Sequence, residues 1–247
     1  MVSDPNSRFT LSTQAATAAH AGVDANIDVG LREYMLKVYN YMSLGVALTG
    51  IVAMLVAMNP DVMMAIAVGP FKWALFIGIL GLGFMAPKII MTGSSTTAQA
   101  SFWGYAALWG ALISPMFFVY TQESIARVFF ITAAAFAAMS LYGYTTKRDL
   151  APIGKFLMMS TFGILIAVLA NAFIFESSGF HFLLSVVVVV VFAALTAYET
   201  QAIKNAYYGG DSGEVTNRKA IFGAFLLYGS FVTMFVWLMQ LFGVARE

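Results

Sequence analysis

The chain has 247 residues, of which 60% are hydrophobic and 10% charged, with 13 Lys and Arg against 12 Asp and Glu, two His and no Cys. Soluble domains carry roughly 25% charged residues, so this composition describes an integral membrane protein. A net charge of +1 offers no basic field for nucleic acid, and the absence of cysteine excludes disulfides, thiolate catalysis and cysteine-ligated metal centres.

Residues 1–33 are polar and rich in Ala, Ser and Thr, with no apolar core behind a basic start. That is not the pattern of a secretory signal peptide. It predicts a disordered cytoplasmic N-terminal tail without chemistry of its own, ahead of a transmembrane domain over residues 34–247. Windows of about 19 residues place seven spans: Met35 to Met58, Phe71 to Ile90, Ala100 to Tyr120, Ile125 to Tyr144, Ile153 to Phe175, Phe180 to Ala202 and Ala220 to Gly243. The runs lack the alternating pattern of barrel strands, and the expected fold is an all-α, polytopic seven-transmembrane-helix bundle in the lipid bilayer.

Lys and Arg in the connections set the orientation. Arg8, Arg32, Lys37, Lys88, Lys147, Arg148, Lys155, Lys204, Arg218 and Lys219 fall on one side, against Lys72, Arg127 and Arg246 on the other. The bias predicts a cytoplasmic N-terminus. An odd number of spans then puts the C-terminus outside, unless the last segment is re-entrant.

Within the spans, Gly78, Gly81 and Gly83, the Ala133 to Ala138 cluster, and Gly163, Ala167 and Asn171 are small residues of the kind that let helix backbones approach closely. Ser114 and Pro115 in the third span predict a kink, because proline removes a backbone hydrogen bond. Gly81, Gly83 and Ala86 form a GxGxxA string, but inside an apolar span and not at a strand-to-helix turn, so it is no dinucleotide site. Neither GxxxxGK[ST] nor HExxH occurs. Lys219, at the edge of the last span, cannot serve a Schiff base within it, and His181 has Glu176 as its nearest carboxylate candidate in the sequence. No enzyme chemistry, resident metal or cofactor is expected. Asp149 reads as a loop cap or a salt-bridge residue, and Gly209 to Asn217 as a flexible connector lacking EF-hand ligand spacing.

The most informative side chain is Glu199. It follows the apolar run Phe182 to Tyr198, whose 17 residues span about 25 Å as a helix against a hydrocarbon thickness of ~30 Å. Ionisable groups at such depths tend to mark ion or substrate pathways. The plainer alternative is an interfacial acid paired with Lys204, Lys147 or Arg148. In the last span Ser230, Thr233 and Gln240 fall on one helix face with Trp237 between them, lining a path for ions or protons or else bonding helices together.

Two strings, SLYGYTTKRDL (Ser140 to Leu150) and AYETQAIK (Ala197 to Lys204), resemble the Bax inhibitor-1 family, also called the transmembrane Bax inhibitor motif family, and most of all its bacterial YbhL and YccA type. The likeness is strong over the C-terminal half and follows the seven-span outline throughout. It implies a bundle built around a hydrophobic sixth or seventh helix and, in one branch, a pH-sensitive calcium leak whose sensor is a pair of aspartates in the strings Y-D-T-Q and L-Y-L-D-F. Here the first position is Glu199. The second falls on Ser230, within Leu227 to Phe231. Two adjacent carboxylates cannot both ionise cheaply, whereas serine supplies no charge, so pH gating of the family kind is expected to be weakened or shifted. A calcium preference loses one of its hard anionic ligands, leaving Glu199 as the cation ligand and calcium or another cation as the permeant ion. The competing expectation is a scaffold that regulates another membrane protein, such as a quality-control protease, in the bacterial inner membrane.

Overall fold

The protein is described by a computed structural model covering the backbone of residues 5–246 and the side chains of residues 29–246. Helices run in the order α1 (Pro5–Ala57), α2 (Pro60–Ala67), α3 (Phe71–Thr92), α4 (Ser95–Ile113), α5 (Met116–Val119), α6 (Gln122–Thr145), α7 (Ala151–Ala170), a π turn at Asn171–Phe175, α8 (Ser178–Asn205) and α9 (Gly213–Phe242). Among the described residues there is no strand, apart from an isolated bridge between Tyr120 and Ala245. Seven segments are long and apolar enough to cross a membrane: Val29–Ala57, Phe71–Thr92, Ser95–Val119, Gln122–Thr145, Ala151–Phe175, Ser178–Asn205 and Gly213–Phe242. They coincide with the seven expected spans, and the chain is an all-α polytopic membrane protein. The last segment is one unbroken helix, not a re-entrant loop. Of the tail expected over 1–33, residues 1–4 and the side chains of 5–28 lie outside the described residues, and the backbone is helical from Pro5.

Local chemistry explains the breaks. Asn59 caps α2, its side-chain oxygen accepting from the backbone of Asp61 and Val62 at 3.2 and 3.3 Å, with Pro60 in the first turn where a missing N–H costs nothing. The expected kink at Ser114 and Pro115 is a two-residue interruption between α4 and α5, where both residues keep right-handed helical dihedrals. Asn171, read as a packing residue and buried, also ends α7: its carbonyl accepts from Glu176 N at 2.9 Å and its side chain from Ser177 N at 3.2 Å, around a left-handed Glu176 at φ 46°. Asp149 caps as expected, accepting from Ala151 N at 2.9 Å. The connector expected over Gly209 to Asn217 is shorter, because Ser212 caps α9 and Gly213 already opens it. Asp211 there is held by Lys219 at 2.5 Å.

The last helix takes the centre. Of its apolar window 67% is buried, against 11% for Ala151–Phe175, and α9 packs on α1, α3, α4, α6 and α8. Lipid tails are as apolar as leucine, so such packing rests on close fit and on interhelical hydrogen bonds. Both are present: Tyr228, fully buried, shares a 2.6 Å hydrogen bond with Thr49 of α1, which donates at 2.9 Å to the Ala106 carbonyl of α4. Around it the Tyr105 and Phe225 rings pack in a tilted arrangement with centroids 4.7 Å apart.

The small residues that make this fit are mostly not those singled out in the sequence. Gly81 and Gly163 face open space, and Gly78 and Gly83 make only ordinary contacts at 3.8 Å. Ala134, Ala137 and Ala138 are exposed. The close approaches occur elsewhere, as the site below shows, because a run of small residues does not say which of its faces meets another helix.

Candidate functional site

Over its last turns α8 buries Leu195, Thr196, Ala197, Glu199, Thr200, Gln201 and Ile203. Two glycines allow this. A Cβ on Gly143 of α6 would run into the Ala197 carbonyl oxygen, and one on Gly154 of α7 would run into the Tyr198 ring, so neighbouring helices meet α8 on either side of its acid. The opposite face of α8 rests on α9, where Gly223 faces Ile203.

Glu199 therefore points inward. It is 8% exposed and lies six residues from Asn205, about 9 Å below the end of α8. Ser230 Oγ, 2% exposed, donates to Glu199 Oε2 at 2.7 Å. The interfacial pairing weighed for Glu199 is not formed: the ion pairs among the described residues are Arg127 with Glu123 and Lys219 with Asp211. Lys204 instead donates to the Tyr144 carbonyl at 2.8 Å, its ammonium 4.9 Å from the centroid of the same residue's ring. One carboxylate and one hydroxyl thus meet across the seam between the last two helices. Calcium takes six to eight oxygens, and among the described residues no cluster of three or more potential metal-ligating side chains occurs.

The polar face expected along α9 is divided. Thr233 is half-buried next to the Ser230 turn. Gln240, at the far end, is exposed and hydrogen-bonds His181 of α8, whose ring lies 5.4 Å from that of Trp237. Sequence spacing put Ser230, Thr233 and Gln240 on one side of the helix, and α8 runs along α9 with two separate polar contacts, Glu199 with Ser230 and His181 with Gln240.

The two sequence strings, read separately above, dock on each other. Ser140 Oγ lies 3.0 Å from Thr200 Oγ1 and 2.6 Å from the Tyr39 hydroxyl. Gln201 clamps the connection after α6, accepting from Leu150 N and donating to the Arg148 carbonyl, both at 2.8 Å. With Lys204 on Tyr144 and Gly143 against Ala197, the strings form one interhelical clamp that holds Glu199 at the seam. Tyr39, Ser140, Thr200 and Gln201 escaped the sequence reading as site residues. On α6 the signal was available in the four-residue spacing of Val128, Thr132, Phe136 and Ser140, which are all buried.

Comparison with known proteins decides the family. The family model described as "Inhibitor of apoptosis-promoting Bax1" matches residues 31–247. The chain belongs to the Bax inhibitor-1 family. Similar relatives include a protein of Rickettsia prowazekii, 41% identical over 89% of this chain and 93% of that one, and the inner membrane protein YbhL of Escherichia coli, 39% identical over 88% and 94%. A membrane protein of Streptococcus pyogenes is 31% identical over 87% and 94%. Within this Bax inhibitor-1 chain the two resemblance-bearing strings dock on each other beside the seam, and the second position is a serine in direct contact with Glu199.

Proposed function

We propose that this chain is a cation leak of the bacterial inner membrane, opened and closed by the protonation state of Glu199. The single observation that carries the reading is a carboxylate enclosed within a membrane bundle, bonded to Ser230 of the central helix and to no cation among the described residues. A charge held there is costly unless water, a cation or a proton accompanies it, so gain or loss of one proton changes the balance that keeps α8 on α9. Parting of that seam exposes Glu199 and the hydroxyl of Ser230 to a passing ion. Calcium is the first ion to test, because hard oxygens face the seam. The basic end of the bundle, with Lys147, Arg148 and Lys204, faces the cytoplasm on this reading, and the acid reports on conditions inside the cell.

The test is calcium flux into liposomes carrying the purified protein. Glu199→Gln keeps the hydrogen bond from Ser230 but carries no charge, and is expected to lower flux about tenfold and to flatten its pH dependence, the weight of one charge-assisted contact. A variant with native flux at every pH removes Glu199 from the mechanism.

A second reading, a scaffold for another membrane protein such as a quality-control protease, is favoured by α7. Its face of Phe156, Met159, Phe162 and Ile166 is exposed, with open space at Gly163. Silent flux assays together with a stoichiometric membrane partner recovered by cross-linking would select it over the leak.

A further inference from the structure

Between α1 and α6, at the basic end of the bundle, the two helices stand apart around a groove of about 520 Å³. Its walls are Arg32, Leu36 and Tyr39 on one side and Phe136, Leu141 and Tyr144 on the other. The helices are joined across its floor by the hydrogen bond from Tyr39 to Ser140. Leu36 and Leu141 are 52% and 64% exposed, so the groove opens sideways into the hydrocarbon and not toward the bundle axis.

Its chemistry is graded along its length. Arg32, the single charged residue of the lining among the described residues, lies three residues inside the start of the first span at Val29, near the membrane surface. From there to Tyr39 is about 10 Å along α1, over which the lining turns apolar through Met35, Leu36, Phe136 and Ala137. A cation with a planar fork of donors at the surface end suits a phosphodiester. An apolar trough below it suits the upper part of an acyl chain. Among the described residues no carboxylate lines the groove to oppose an anion; Glu33 and Asp211 line a separate cleft with Lys37 and Tyr207.

We infer that the α1 and α6 groove binds one anionic phospholipid, its phosphate at Arg32 and one acyl chain between Leu36 and Leu141. The inference stands apart from the leak reading, since it concerns binding alone. It does place a lipid against Ser140, whose hydroxyl is bonded to Thr200, the residue following Glu199 in α8.

The test uses the full chain in phosphatidylcholine vesicles with a trace of phosphatidylglycerol, or of phosphatidylcholine with the same chains, bearing a photoreactive acyl group. After irradiation, labelled peptides are located by mass spectrometry. Phosphatidylglycerol is expected to label segments 29–39 and 136–144 about fivefold more than phosphatidylcholine, the effect of one basic residue near the surface. Arg32→Gln is expected to reduce that labelling to the phosphatidylcholine level, and Arg32→Lys to retain most of the preference. Ala137→Trp, which fills the trough, should remove labelling of these segments by both lipids. Equal labelling of the native chain by the two lipids, a preference that survives Arg32→Gln, or labelling indifferent to Ala137→Trp would each overturn the proposal.

Discussion

Ser230 decides what kind of site the seam contains. As the donor to Glu199 Oε2, it satisfies one oxygen of a carboxyl group that has no other described hydrogen-bond or ion-pair partner, and a buried acceptor left without a donor costs about 1–3 kcal/mol. Ser230→Ala is therefore expected to destabilise the bundle by about 1–2 kcal/mol. Thermal unfolding in detergent checks this, and the loss should shrink in the double variant Ser230→Ala with Glu199→Leu, where no acceptor is left unpaired. Both residues were legible from the string resemblance, and their contact was suggested by it. The inward orientation of Glu199 was not: residue type alone let it be an edge acid paired with Lys204, and only the turn of α8 that buries Ala197 and Thr200 turns it inward.

At the scale of helices, glycine positions rather than propensity decide how the elements meet. Gly143 lets α6 lie against the Ala197 backbone, which brings Ser140 within 3.0 Å of Thr200 and Lys204 within 2.8 Å of the Tyr144 carbonyl. Gly143→Ala would force α6 and α8 apart, and overpacking of this kind costs typically 1–3 kcal/mol. The expected outcomes are a lower unfolding midpoint and faster amide exchange over residues 146–150, whose Gln201 clamp depends on that spacing. An unchanged exchange pattern would show that the clamp does not need the close approach. Helix spans were readable because hydropathy is a property of a window. Contacts between spans were not, since Gly81 and Gly163 are as small as Gly143 and meet nothing. The π turn at Asn171 and the interruption at Pro115 show the same division: a proline announces itself, whereas Asn171 ends its helix through side-chain geometry that no short pattern encodes.

Across the whole molecule, the seven helices long and apolar enough to cross a membrane are arranged with α9 at the centre and α7 outermost. The chain has no cysteine, so single cysteines report topology without a background. Lys147→Cys is expected to be shielded from a membrane-impermeant thiol reagent in intact cells and Glu176→Cys to react. The reverse pattern would invert the orientation drawn from the basic residues. The family relation, over residues 31–247, establishes the kind of protein, while the serine in contact with Glu199 marks where this chain departs from the paired-acid pattern that the resemblance implied.

The central claim, that the Glu199 and Ser230 contact sets ion passage, is tested most directly by calcium flux in liposomes titrated from acid to neutral pH for the native chain, Glu199→Gln and Ser230→Asp. Two carboxylates in contact hold a proton between them, so the account predicts a pH step in Ser230→Asp that is displaced from that of the native chain, and a flat, roughly tenfold lower flux in Glu199→Gln. Identical flux and pH response in all three proteins would contradict it.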